Sequence, residues 1–142
     1  MNDDKNKKIQ ELLLFSDRTL IHLNSALKEI DSAGNWGAFN TLTKGLLESF
    51  TKNDFIDDVS DELSRAKKEF EVLKNLLLDL DEDFDLINVS EFLAFAGEFF
   101  DGFVPSFSQV SDLVQSEITI RRAISEIEAI RLAFASYNYR KF

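Results

Sequence analysis

Between Phe55 and Leu80, the residues Ile56, Val59, Leu63, Ala66, Phe70, Leu73, Leu77 and Leu80 recur at alternating spacings of three and four. At helical periodicity these positions form a single apolar stripe. A stripe of that length is unstable facing water, so the chain has to bring at least one other long helix against it. The flanking sequence supplies one on each side.

The first runs from about Asp4 to Ile30, where Ile9, Leu13, Ser16, Leu20, Leu23, Leu27 and Ile30 repeat at spacings of four and three. Leu12, Leu14, Phe15 and Ile21 widen its apolar face beyond a two-stranded coiled-coil seam, which favours two neighbours in a bundle. The Ser16 hydroxyl, polar within the seam, is expected to bond to its own helix backbone. Next, Gly34 and Gly37 bracket Asn35 and Trp36 in a segment, Asp31 to Asn40, that reads as a turn. Leu42, Leu46, Leu47 and Phe50 suggest a short helix broken near Gly45. The second long helix is then predicted from about Asn53, with Asp54, Asp57, Asp58, Asp61 and Glu62 near its positive N-terminal dipole.

After the acidic stretch Asp79 to Asp85 comes a phenylalanine-rich helix carrying Phe92, Phe95, Phe99, Phe100 and Phe103, expected to stop at Gly102 and Pro105. A last long helix is predicted from about Ser106, with Val110, Leu113, Ile120, Ile124, Ile127 and Phe134 on one face and Glu117 and Arg131 interrupting it. No stretch alternates with the period of a strand for long enough to form one. The expected fold is therefore all-α: one domain over residues 1–142, an antiparallel bundle of three long helices with two short helical segments at the turns.

Composition narrows function by exclusion. The chain has no cysteine, which removes disulfides, thiolate metal sites and cysteine nucleophiles. Its N-terminus, Met1-Asn2-Asp3-Asp4-Lys5, is too charged for a signal peptide, and no apolar run approaches the roughly 20 residues that span a bilayer. A soluble, cytoplasmic protein is expected. The net charge is −10, and residues 31–87 hold fourteen acids against six bases. Such a surface repels nucleic acid and anionic lipid and favours a basic partner.

Asp79, Asp81 and Asp83 fit positions 1, 3 and 5 of a calcium-binding loop. Position 6 is then Phe84 instead of glycine, and position 12 is Ser90 instead of glutamate. His22 is the single histidine, no Glu-x-x-His pair exists for a di-iron site, and no Gly-x-Ser-x-Gly turn accompanies it. Phosphate-binding glycine loops are absent too. No enzyme activity, metal or cofactor is expected.

Two aromatic features carry alternative readings. Trp36 either closes the end of the bundle with its indole N–H on a carbonyl, or stands exposed as a partner anchor. Phe99, Phe100 and Phe103 lie on a helix that is apolar on most sides, and such a helix is buried either in its own protein or in a partner.

The segments Asp31 to Asn40, Phe55-Ile56-Asp57-Asp58 and Val89 to Gly102, in this order and spacing, resemble a family of small, helical, uncharacterised bacterial proteins with an Asn-Trp-Gly turn and a Phe-Phe-Asp-Gly segment. The resemblance covers roughly residues 20–135. Family members tend to have a glycine run after Trp-Gly and a Lys-His pair before Ile-Asp, where this chain has Gly45 and Lys52-Asn53. It implies a helical fold and a bacterial origin, and no activity.

The expected function is a non-enzymatic protein-interaction module that binds a basic or apolar partner surface through Asp57, Asp58, Asp61 and Glu62, together with Trp36, Phe99, Phe100 and Phe103. One alternative is a small acidic inhibitor or immunity protein that mimics nucleic-acid charge against a nucleic-acid-handling enzyme. Another is a bundle that binds a small apolar ligand between its helices. Self-association stays open as a homodimer, with Glu117 and Arg131 either at a solvent edge or paired across an interface.

Overall fold

The computed structural model describes residues 2–40, 48–80, 89–109 and 112–140, with side chains within 4–31, 56–80, 89–109 and 112–136. Every described residue except Asp112 is helical, so the fold is all-α. Helix α1 spans Asn2–Asn40, α2 Glu48–Leu80, α3 Val89–Gly97, α4 Val104–Ser106 and α5 Leu113–Arg140. A π turn, Glu98–Phe103, joins α3 to α4, and a 3-10 turn, Phe107–Gln109, follows α4. Helix α1 packs along both α2 and α5, while α4 and the 3-10 turn pack against α2.

The α2 stripe is buried from Val59 to Leu80, with Ile56 half-buried at its start. On α1 the buried line is Ile9, Leu12, Ser16, Thr19, Leu23, Ala26, Leu27 and Ile30, so Leu12 and Thr19 take central places and Leu13 and Leu20 flank them. Two hydroxyls in this line would be costly if unbonded. The Ser16 hydroxyl donates to the Leu12 carbonyl and the Thr19 hydroxyl to the Phe15 carbonyl, both at 2.7 Å. Each satisfies itself on its own helix, four residues back, and asks nothing of a neighbour.

The helices run further than the sequence predicts. Backbone helix continues through the expected turn at Asp31 to Asn40, so α1 is 39 residues and about 58 Å long. Glycine permits a left-handed stop without imposing one, and costs only about 1 kcal/mol inside a helix. Trp36 therefore sits in the backbone of α1, with its side chain outside the described residues. Helix α2 begins at Glu48, five residues before the expected start at Asn53, so Asn53 and Asp54 lie inside it. The expected short helix near Gly45 falls mostly on residues 41–47, and the acidic stretch mostly on 81–88, both outside the described residues.

Gly102 and Pro105 do not end the phenylalanine-rich helix. At the π turn the Val104 N–H donates to the Phe99 carbonyl, five residues back, and helical structure resumes. Pro105 then falls in the first turn of α4, where a missing N–H breaks no bond. Helix α5 starts at Leu113 instead of near Ser106, because Asp112 caps it: the Gln115 N–H donates to Asp112 Oδ1 at 3.0 Å. Its core face is Ser116, Ile120, Ala123, Ile124, Ile127, Ile130 and Phe134.

The phenylalanines close the core over α2. Phe70 stacks on Phe100 with ring centroids 4.4 Å apart and meets Phe92 at 6.0 Å. Phe99 meets Phe100 edge-on at 4.8 Å. Phe99, Phe100, Val104 and Phe107 are all buried. Replacing Phe70 with alanine, which removes the ring both neighbours rest on, is expected to cost about 3 to 5 kcal/mol. A fall in the urea midpoint at unchanged m-value measures it, and Val72→Ala, on the exposed side of α2, is expected to cost less than about 0.5 kcal/mol.

Candidate functional site

Polar residues of α2 that fall off its stripe come to the surface beside α1. Asp57, Asp58 and Asp61 are exposed and Glu62 is half-buried. Across from them α1 presents Lys28 and Glu29, and the two helices enclose an open depression of about 410 Å3 that Asp58, Asp61, Glu62 and Arg65 also line.

Glu62 differs from its neighbours. Its Oε2 accepts from His22 Nδ1 at 2.9 Å and its Oε1 from Arg65 Nη1 at 3.0 Å, so both carboxylate oxygens are engaged. It ties α1 to α2 and has little left for a ligand. A histidine held by a carboxylate is two-thirds of a hydrolytic triad. Ser25, one turn along α1 from His22, makes no hydrogen bond to it, so the third member is not assembled. Among the described residues no group of three or more histidine or acidic side chains could hold a metal ion. None of the described helices is long and apolar enough to cross a membrane.

The structure separates the predicted site residues. Asp57, Asp58 and Asp61 form one exposed row, and Glu62 forms its inner edge. Phe99 and Phe100 do not belong to any surface: each is 2 % exposed, packed on Phe70 and on one another. The reading of these two as partner contacts is corrected, because a partner reaches them only if the core opens. Phe103 is half-buried, stacked on Phe99 at 5.3 Å.

Glu117 and Arg131 both find partners within the chain. Arg131 forks onto the Asp17 carboxylate of α1, and Glu117 receives Arg121 at 2.9 Å. Neither has to pair across an interface. The sequence gives no sign of the His22–Glu62 and Asp17–Arg131 contacts, since each depends on the register between two helices far apart in the chain.

With this geometry in view, comparison with known proteins adds no relative: no protein-family model, no curated protein and no solved structure matches the chain.

A second charged cluster joins α1 to α5, where Asp31, Glu117 and Arg121 meet. Desolvation beside α5, and a hydrogen bond shared with Glu117, raise the Asp31 carboxyl above its ordinary value. Hydrogen bonds from Arg121 and then from Asp31 lower that of Glu117. The signs oppose. A raised carboxyl costs stability as pH climbs through its folded value, whereas a lowered one contributes stability above its unfolded value and loses it as pH falls. Neutralising Asp31 removes its cost together with its exposed pairing to Arg121, which contributes little. Asp31→Asn is expected to raise Tm at pH 7 by about 1 to 3 °C. The gain should shrink as pH falls through the carboxylate range, because protonated Asp31 carries no charge for the site to penalise. Thermal melts across that range measure it.

Proposed function

We propose that the chain is a non-enzymatic protein-interaction module, an antiparallel bundle of α1, α2 and α5 whose carboxylates on α2 engage a basic partner surface. The bundle reading rests on the order of the cross-helix pairs. Lys8–Asp79, Arg18–Glu69 and His22–Glu62 descend α2 as they climb α1, and Asp17–Arg131 with Asp31–Arg121 do the same along α5.

One observation carries the functional reading. Asp57, Asp58 and Asp61 are exposed and, among the described residues, have no ion-pair partner, whereas Glu62 beside them is doubly bonded. Unpaired like charges on one helix face repel one another and weaken the free protein slightly. A cationic surface laid over them relieves that repulsion and gains complementarity, which mainly raises the rate of encounter and selects the partner.

The same row supports a second reading. Asp57 and Asp61 rise about 6 Å along one side of α2, in series, as a strand presents phosphates. An inhibitor of a nucleic-acid-handling enzyme would use that series to occupy a phosphate-binding groove.

Capture on the immobilised chain, compared with the Asp57→Asn, Asp58→Asn, Asp61→Asn triple variant, tests both. Glu62 is left in place because it holds α1 to α2. The parent is expected to retain a basic partner that elutes with salt, and the triple variant to bind it at least about tenfold more weakly. Equal retention by both would remove the carboxylate row from the interface. Inhibition of a captured nuclease or polymerase by the parent, lost in the triple variant, selects the second reading.

A further inference from the structure

Helix α5 has a second face. Its core side is turned inward at Ile120, Ile127 and Phe134, and on the opposite side Val114, Ile118 and Leu132 are 69 %, 55 % and 66 % exposed. Ser125, Ala129 and Ser136 are exposed between and beyond them. With Arg121, these positions fall within an arc of about 80° and extend about 33 Å along the helix. Three aliphatic side chains more than half exposed in one narrow line, with small residues between them, form a surface suited to close approach by another helix.

The charges beside this line identify the other helix. Arg121 and Arg122 stand just before Ser125, and Glu126 and Glu128 just after it. A second copy of α5 laid antiparallel, with the two-fold axis at Ser125, sets Ile118 against Leu132 of the other copy and Val114 against Ser136. The same operation brings Arg121, which also holds Glu117 of its own chain, to within about 1.5 Å along the seam of Glu128 of the other copy on the same side, and Arg122 to within about 3 Å of its Glu126 on the other side. A parallel pairing would instead oppose arginine to arginine and glutamate to glutamate. The surface is thus self-complementary in one orientation, as an isologous interface must be.

We infer that this outer face of α5 is the contact between two copies of the chain, packed antiparallel about Ser125. On one flank the seam is bordered by an open groove of about 300 Å3 lined by Phe95, Arg122, Glu126 and Ala129, where the second helix has room to settle. The guanidinium of Arg122 lies 4.4 Å from the centre of the Phe95 ring, which holds it beside the seam. The contact uses none of Asp57, Asp58 or Asp61, so it stands or falls apart from the proposed function.

The absence of cysteine makes the register directly measurable. Ser125→Cys is expected to give a disulfide-linked dimer on mild oxidation, and Ser64→Cys, on the exposed side of α2, to stay monomeric under the same conditions. In light scattering, Ile118→Glu and Leu132→Glu are each expected to raise the dimer dissociation constant at least about tenfold. Unchanged far-ultraviolet circular dichroism excludes unfolding as the cause. A parent chain that stays monomeric at millimolar concentration would overturn the inference. So would a dimer that neither glutamate variant weakens, or equal cross-linking at positions 64 and 125; a foreign protein bound to this face with the parent still monomeric would do the same.

Discussion

The fold depends on burying one helix face from two directions. The stripe on α2 is too long to be hidden by a single neighbour along its whole arc, and two different surfaces share the work. Helix α1 covers one side with aliphatic side chains repeating at the same spacings, and the phenylalanine-rich segment covers the other with rings. Phe70 belongs to both arrangements, since it is a stripe position and also the ring on which Phe92 and Phe100 rest. Apolar area, and not polar pairing, supplies the stabilisation here.

Polar contacts then decide which of several similar packings is adopted. A helix with a regular three-four repeat can slide by one heptad against its neighbour at little cost in buried area. The His22–Glu62, Arg18–Glu69 and Arg131–Asp17 pairs each fit one register and leave partly buried charge unpaired in the others. As individual exposed ion pairs they contribute little stability, and their effect is selective. The hydroxyls of Ser16 and Thr19 play no part in that selection because each is already bonded to its own backbone.

The α2 stripe was legible in the sequence because charged residues occupy its other faces, leaving one way to turn the helix. The same logic put Asp57, Asp58 and Asp61 at the surface. Helix ends were less legible. Gly34 and Gly37 lower the cost of stopping, and nothing local reveals that the ladder continues past them; Asp112, by contrast, was a readable cap in front of α5 that the apolar repeat beginning at Val110 obscured. The special standing of Glu62 could not be read at all, since it follows from alignment with a histidine 40 residues away. For Phe99 and Phe100 the sequence offered a choice between burial at home and burial in a partner, and it was the unused side of Phe70 that decided it.

The π turn works as a phase slip of one residue. Before it the inward positions are Phe92, Ala96 and Phe99; after it they are Phe100, Val104 and Phe107, the same four-three rhythm displaced by a single place. A continuous α-helix would separate those two sets by about 100° and could hold only one of them against α2. The wider turn lets adjacent rings, Phe99 and Phe100, point into the same core, so a doubled aromatic marks where two out-of-phase stripes are spliced. Deleting one residue between Glu98 and Phe103 would therefore restore a regular helix with Val104 and Phe107 still turned inward, and the core would lose only its doubled aromatic, because in a regular helix two adjacent rings cannot share one face.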